Sequence, residues 1–289
     1  TFGHDIIKGG DGNDTITDNQ GNNTIYGGAG NDKITSRSLT SKAKFFGDNG
    51  DDNIEVSGKD VLLSGGDGRD YLRADGRFTN STTGNREYVQ NGTANLEGGA
   101  GNDNLSTSRM EVVSLSGGTG DDSLHSSYAK QSTLKGGDGN DSLGISSGWD
   151  NDASYQLDGG NGNDNIRVDA YGKTNISGGD GDDSIDINGD WGGGSKSNIQ
   201  AGTGNDTINA RRLQQAQINS GSGDDLIKAS EIKAVEIDAG DGDDRITISN
   251  ATESISVTTG SGSDTIVLTK QQLDDKAIEV TDFTAGENG

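Results

Sequence analysis

Cysteine and proline are both missing from this chain of 289 residues. Without cysteine, neither a disulfide nor a thiolate metal site can hold it together. Aromatic residues make up 4% and apolar residues 27%, against about 45–50% apolar in an ordinary globular domain on a count that includes glycine. A conventional layered core is therefore out of reach. No run of about 18 apolar residues occurs, which excludes a membrane-spanning helix. Positive charge is scarce as well: 23 Lys and Arg face 47 Asp and Glu, a formal net charge of −24. Nucleic acid and anionic membranes both call for positive surface and are disfavoured as partners, whereas cations are favoured. No secretory signal or lipidation motif stands at Thr1, so the chain reads as a segment cut from a longer protein.

What the chain does have is glycine, 49 residues of it, and acid. Low hydrophobicity with high net charge describes a disordered chain, unless something besides a core orders it. The pattern G-G-x-G-x-D-x-(Ile/Leu) recurs thirteen times, beginning with GGDGNDTI at Gly9 and ending with TGSGSDTI at Thr259. The start-to-start steps are 18, 20, 18, 33, 19, 19, 23, 19, 23, 19, 19 and 20 residues. The unit is thus about 19 residues, with one long insertion (roughly Arg73 to Gln90) and two short ones.

Two positions stay apolar in every unit. Two residues after each motif Asp stand Ile16, Ile34, Ile54, Leu72, Leu105, Leu124, Leu143, Ile166, Ile185, Ile208, Ile227, Ile246 and Ile266. Two residues before each motif stand Ile7, Ile25, Phe45, Leu63, Leu96, Leu115, Leu134, Leu157, Ile176, Ile199, Ile218, Ile237 and Val257. A flexible glycine linker would not keep two such rows in phase. Each unit therefore predicts two short strands flanking a glycine turn, each pointing one side chain inward. Stacked units would bury both rows and pair every strand in parallel with its equivalent one turn on. At about 4.8 Å per turn, thirteen turns give a rod of roughly 60 Å. So thin a core cannot offset the conformational entropy of ordering the chain. Some other ligand has to order it.

Calcium suits the turn. It takes six to eight oxygens, from carboxylates and backbone carbonyls. Glycine lets the backbone bend so that its carbonyls converge, and an Asp closes each motif. Stacking would repeat this arrangement along one edge, where the acids would repel without a cation.

GGxGxDxUx resembles the calcium-binding nonapeptide of the RTX (repeats-in-toxin) family, proteins exported by type I secretion, over residues 9 to 266. The resemblance implies an all-β, right-handed parallel β-roll of about thirteen turns. It implies calcium held between stacked turns by the motif Asp and the turn-glycine carbonyls. Carried across, the ligand carboxylates are Asp14, Asp32, Asp52, Asp70, Asp103, Asp122, Asp141, Asp164, Asp183, Asp206, Asp225, Asp244 and Asp264. The carbonyl donors of the first seven units are Gly10, Gly12, Gly28, Gly30, Gly66, Gly68, Gly99, Gly101, Gly118, Gly120, Gly137 and Gly139. Those of the later units are Gly160, Gly162, Gly179, Gly181, Gly202, Gly204, Gly221, Gly223, Gly240 and Gly242. Typical arrays place a motif every nine residues and bind ions on both edges. Here the motif comes once per turn, so calcium is expected along one edge, in up to about twelve gaps between thirteen loops. The first Gly gives way to Ala201, Ser220, Ala239 and Thr259 in the last four units, and the second to Asp48 in the third, which puts those sites in doubt.

Other candidate sites are sparse. His4 and His125 read as surface residues, and no nucleophile–base set can be assembled, so enzymatic activity is not expected. Trp149 and Trp191 fall in the two short insertions, near Tyr155 and Tyr171. They read either as a sugar-stacking platform or, more plainly, as rings covering the metal-free edge. Arg73, Arg77, Arg86, Arg211 and Arg212 are expected to pair with surface carboxylates, with contact to an acidic polysaccharide as the weaker alternative. An ice-binding face would need a regular outward row, but the residues flanking each motif Ile/Leu run from Thr15/Thr17 through Asn53/Glu55 to Ser123/His125.

The expectation is a single calcium-binding roll over residues 1–289, with repeats at about 7–268 and a terminal cap at 269–289. It would be a monomeric, secreted or cell-surface segment that folds on meeting calcium, serving as scaffold or spacer of an adhesin, toxin or surface-layer protein. The alternative is a carbohydrate-binding module of a polysaccharide-acting enzyme.

Overall fold

A computed structural model describes residues 3–18, 21–37, 42–79, 86–89, 91–146, 150–189, 196–269 and 277–282. Among them there is no helix: the chain is an all-β parallel solenoid of about thirteen turns. It divides into two compact units, Thr1–Gly148 and Trp149–Gly289.

In the first unit, each turn contributes one strand to each of two sheets, as Thr24–Ala29 and Lys33–Ser36 do. The glycine motif connects the two. Pairing between successive turns is parallel and in register, so that Ile7, Ile25, Phe45, Leu63, Leu96, Leu115 and Leu134 form one ladder. Ile16, Ile34, Ile54, Leu72, Leu105, Leu124 and Leu143 form the other. The second unit repeats the scheme. Its first ladder runs from Leu157 to Val257 and gains a rung from the tail, where Ile278–Val280 pairs with Ile255–Thr258 and sets Val280 beside Val257. The ladder residues are buried except Ile7, Ile16 and Ile266 in the end turns, which lack a neighbour on one side.

The core is wider than one inward residue per strand. Strands alternate faces, so the residue two places from each ladder position also points inward. Ala43, Val61, Ala94, Val113 and Ser132 fill this row in one sheet, and Val56, Ala74, Thr107, Ser126 and Ile145 in the other. Tyr155 occupies an equivalent inward place in the second unit and is fully buried, so it cannot stack on a sugar. A further buried set, Met110 and Ala129 in the first unit and Leu213, Ile232 and Ala251 in the second, lines the corner opposite the glycine motif.

The long insertion leaves from that opposite corner, as the spacing predicts. It starts later than Arg73, which belongs to the strand Tyr71–Asp75. Arg77–Thr79 and Arg86–Tyr88 then form an antiparallel hairpin, and the amide of Val89 returns to Gly76 O at 2.8 Å. Arg73 and Arg77 both reach Asp75, at 3.6 and 3.7 Å, as expected of them, although Asp75 is buried rather than a surface acid. Arg212 instead donates to the amide oxygen of Asn188, at 2.9 and 2.6 Å. The side chain of Arg86 lies outside the described residues.

Candidate metal centre

The glycine motif makes a tight corner in which its second and fourth residues have positive φ, 119° and 122° at Gly28 and Gly30. Asp48 takes the second position in the third turn at φ 76°, a strained conformation for a residue with a Cβ. The first glycine serves a different need. A Cβ on Gly47 would collide with Oδ2 of Asp52 and stand 2.7 Å from the carbonyl of Gly65 in the next turn. The space over that glycine is thus flanked by a carboxylate oxygen of its own turn and a carbonyl of the next. Ala201, Ser220 and Ala239 fill the corresponding space with small buried side chains, and Ser220 Oγ donates to Ala239 O at 2.7 Å.

The motif aspartates form a row. In the first unit the amide of Asp14 donates to Oδ1 of Asp32 at 2.7 Å, and the same bond joins Asp32 to Asp52, Asp52 to Asp70, Asp70 to Asp103, Asp103 to Asp122 and Asp122 to Asp141. In the second unit it runs from Asp164 through Asp183, Asp206, Asp225 and Asp244 to Asp264. One oxygen of each carboxylate is thereby engaged. The other, Oδ2, is buried without a hydrogen-bond partner in twelve of the thirteen; the exception is Asp264 in the last turn. A buried carboxylate oxygen facing nothing is costly unless a cation meets it. Burial, together with the neighbouring aspartates, pushes Asp70, Asp122 and Asp183 up to about 7, and Asp52, Asp206 and Asp244 up to about 6. Asp103, Asp141 and Asp225 are raised mainly by burial too.

A second row runs beside the first and points the other way. The side chain of Asn13 accepts from the amide of Asn31 at 2.8 Å, Asn31 from Asp51, and Asp51 from Arg69. Asn102, Asp121, Asn163, Asp182, Asn205, Asp224 and Asp243 act likewise. The motif writes this position as x, although eleven of the thirteen residues there are Asn or Asp. At the far end, the amides of Thr259 and Gly260 donate to the carboxylate of Asp282, at 3.0 and 2.7 Å, and hold it below the usual carboxylate range.

These residues fit a hard divalent cation. The donors are all oxygen, and twelve of the thirteen turns offer an unpartnered carboxylate oxygen beside a bend of glycine carbonyls, the donor set calcium takes. Among the described residues no three Asp, Glu, His or Cys side chains converge on one point, so backbone carbonyls from adjacent turns would have to supply most of any ion's shell. His125 lies away from this edge, exposed on the second sheet near Ser146 Oγ at 3.4 Å. Trp149 and Trp191 lie outside the described residues.

The family model of the RTX calcium-binding nonapeptide repeat matches residues 1–34, 46–76, 90–108, 131–144 and 191–212, and so falls in both units. No curated protein and no solved structure matches the chain. The RTX β-roll is a structural, non-catalytic type of domain. The matched segments, the parallel solenoid and the row of buried aspartates agree: this chain carries RTX calcium-binding repeats in the matched segments.

Proposed function

We propose that calcium bound between successive glycine turns drives the folding of this chain, and that residues 1–289 act as one such segment of a secreted or cell-surface protein. The thirteen motif aspartates would supply the carboxylate oxygens, and the positive-φ glycines of adjacent turns the carbonyls. The observation that carries the reading is the set of twelve buried Oδ2 atoms with no partner. Twelve divalent ions would also cancel the formal charge of −24. A chain that is strongly self-repelling without calcium and neutral with it is poised to fold where calcium is abundant. Because a preformed site does not exist in the unfolded chain, binding energy becomes folding energy. Export through a calcium-poor interior into a calcium-rich exterior would use this difference, and the folded roll would serve as a rigid spacer within a larger adhesin, toxin or surface-layer protein. We read the segment as structural rather than enzymatic.

The test pairs two measurements on the purified chain. Metal analysis after removal of free ion should find close to twelve calcium ions per chain. Small-angle scattering should show a large fall in radius of gyration when calcium is added to the chelated protein. One or two ions per chain, or identical dimensions in both states, would overturn the proposal.

A further inference from the structure

The corner opposite the glycine motif carries side chains that the calcium reading leaves unused. Arg109 and Tyr128 occupy equivalent corner positions in adjacent turns of the first unit, where the amide of Arg109 donates to Ser127 O and that of Tyr128 to Ser146 O, at 3.0 and 2.9 Å. Both adopt left-handed backbone, at φ 58° and 55°. Among residues that carry a side chain, asparagine tolerates that conformation most cheaply, and Asn250 uses it at the same corner in the second unit. A tyrosine there gains no burial in return, because Tyr128 is 61% exposed. The Arg109 guanidinium stands 5.1 Å from the Tyr128 ring and 5.8 Å from the ring of Tyr88, which the insertion hairpin brings over it. Tyr88 is 54% exposed. Among the described residues the guanidinium makes no ion pair, in a chain with twice as many acids as bases; its one hydrogen bond goes to Ser108 Oγ at 3.0 Å. Arg212, at the same kind of corner, is instead tied to Asn188 and has no aromatic neighbour among the described residues.

We infer that Tyr88, Arg109 and Tyr128 form a binding site for an acidic sugar, a uronic-acid residue of an extended polysaccharide. Exposed tyrosine rings offer flat apolar faces for the C–H face of a pyranose ring. A guanidinium held between them offers paired N–H donors to a sugar carboxylate, and its fork favours a planar anion. The two rings keep its position fixed while leaving its edge donors free. The site rests on the calcium reading in one respect: only the calcium-loaded chain, with its charge largely cancelled, would admit an anion.

The experiment is isothermal titration of the calcium-saturated chain with trigalacturonic acid, a fragment too short to gel with calcium, and with maltotriose as the neutral counterpart. Circular dichroism in the same buffer reports the fold separately, so that loss of the roll and loss of the site are told apart. Trigalacturonic acid should bind and maltotriose should bind at least about tenfold more weakly, the loss of one charge-assisted contact. Arg109→Gln and Tyr128→Ala, both at partly or largely exposed side chains, should each weaken binding by about tenfold with an unchanged spectrum. Arg212→Gln should leave binding as it was. No binding to the folded wild-type chain, equal binding of both sugars, or full binding by Arg109→Gln would overturn the assignment.

Discussion

The amide of Asp70 donates to the carboxylate of Asp103 at 2.7 Å, although 33 residues separate them. The next bond in the row, from Asp103 to Asp122, spans 19 residues at the same 2.7 Å. The glycine edge thus keeps its register because the extra residues leave the solenoid at the opposite corner. Constancy of this edge, with variability confined to the other, is what a row of interturn ions requires.

Asp103 therefore offers a substitution that separates its two oxygens. Asp103→Asn keeps an acceptor for the Asp70 amide but removes the charge at the unpartnered Oδ2. Without calcium the variant should be more stable than the parent, because a buried charge is gone. With calcium it should need a higher ion concentration to fold, because a ligand oxygen is lost. Asp103→Ala also strands the buried Asp70 amide, which costs about 1–3 kcal/mol in either condition. Circular dichroism during acidification in chelator and during a calcium titration checks the reversal of sign: the asparagine variant should regain β-structure at a higher pH than the parent yet need more calcium, and a variant that shifts neither midpoint would contradict it.

The raised carboxyls give a pH dependence of definite sign. Asp70, Asp122 and Asp183 sit at about 7 in the folded chain, against an ordinary 3.8. Between those values the calcium-free folded state binds more protons than the unfolded one. Their contribution to stability is therefore full below about pH 4 and is lost progressively as the pH rises from about 4 to about 7. In chelator, acidification from pH 8 to 5 should recover β-structure, with protons standing in for calcium. In calcium, the same acidification should raise the ion concentration needed for folding, since proton and metal compete for the same oxygens. Calcium titrations at three pH values measure both; a midpoint independent of pH would refute the assignment.

Much of this was legible in the sequence, and for a physical reason. The two aliphatic ladders occupy positions where the environment demands Ile, Leu or their like, so the same residue types recur at Ile25, Phe45, Leu63 and Leu96. The row two places further along is as buried but holds Val56, Ala74, Thr107 and Ser126, because a narrow interior accepts any small side chain there. No uniform signal marks it. The corner residues Met110 and Leu213 were hidden likewise, by corners whose lengths differ between turns. The motif aspartates were evident; their shared direction of hydrogen bonding was not, because it depends on how turns stack. The Asn/Asp row before them carried a readable signal that the nonapeptide pattern masks by writing x.

That second row fails at one place that can be repaired. Arg69 donates its amide to Asp51, yet its own side chain has no acceptor to offer the following turn. Its guanidinium lies 4.0 Å from Asp51 with both side chains largely exposed, an ion pair of little worth. Arg69→Asn should restore the missing acceptor and add about 1 kcal/mol, read as a rise in melting temperature of about 2–4 °C in calcium. Arg69→Ala, which restores nothing, should not reproduce the gain. Equal effects of the two would show that this row contributes no stability.

The claim beneath all of these is that an ion between neighbouring turns, not the narrow interior, keeps so acidic a chain wound. Far-ultraviolet circular dichroism at pH 7.5, recorded with calcium and again after chelation, tests it most directly. The β-signal should vanish on chelation and return with calcium but not with an equal concentration of magnesium, which dehydrates reluctantly and demands a tighter octahedral shell. A β-signal that survives full removal of calcium would contradict the account.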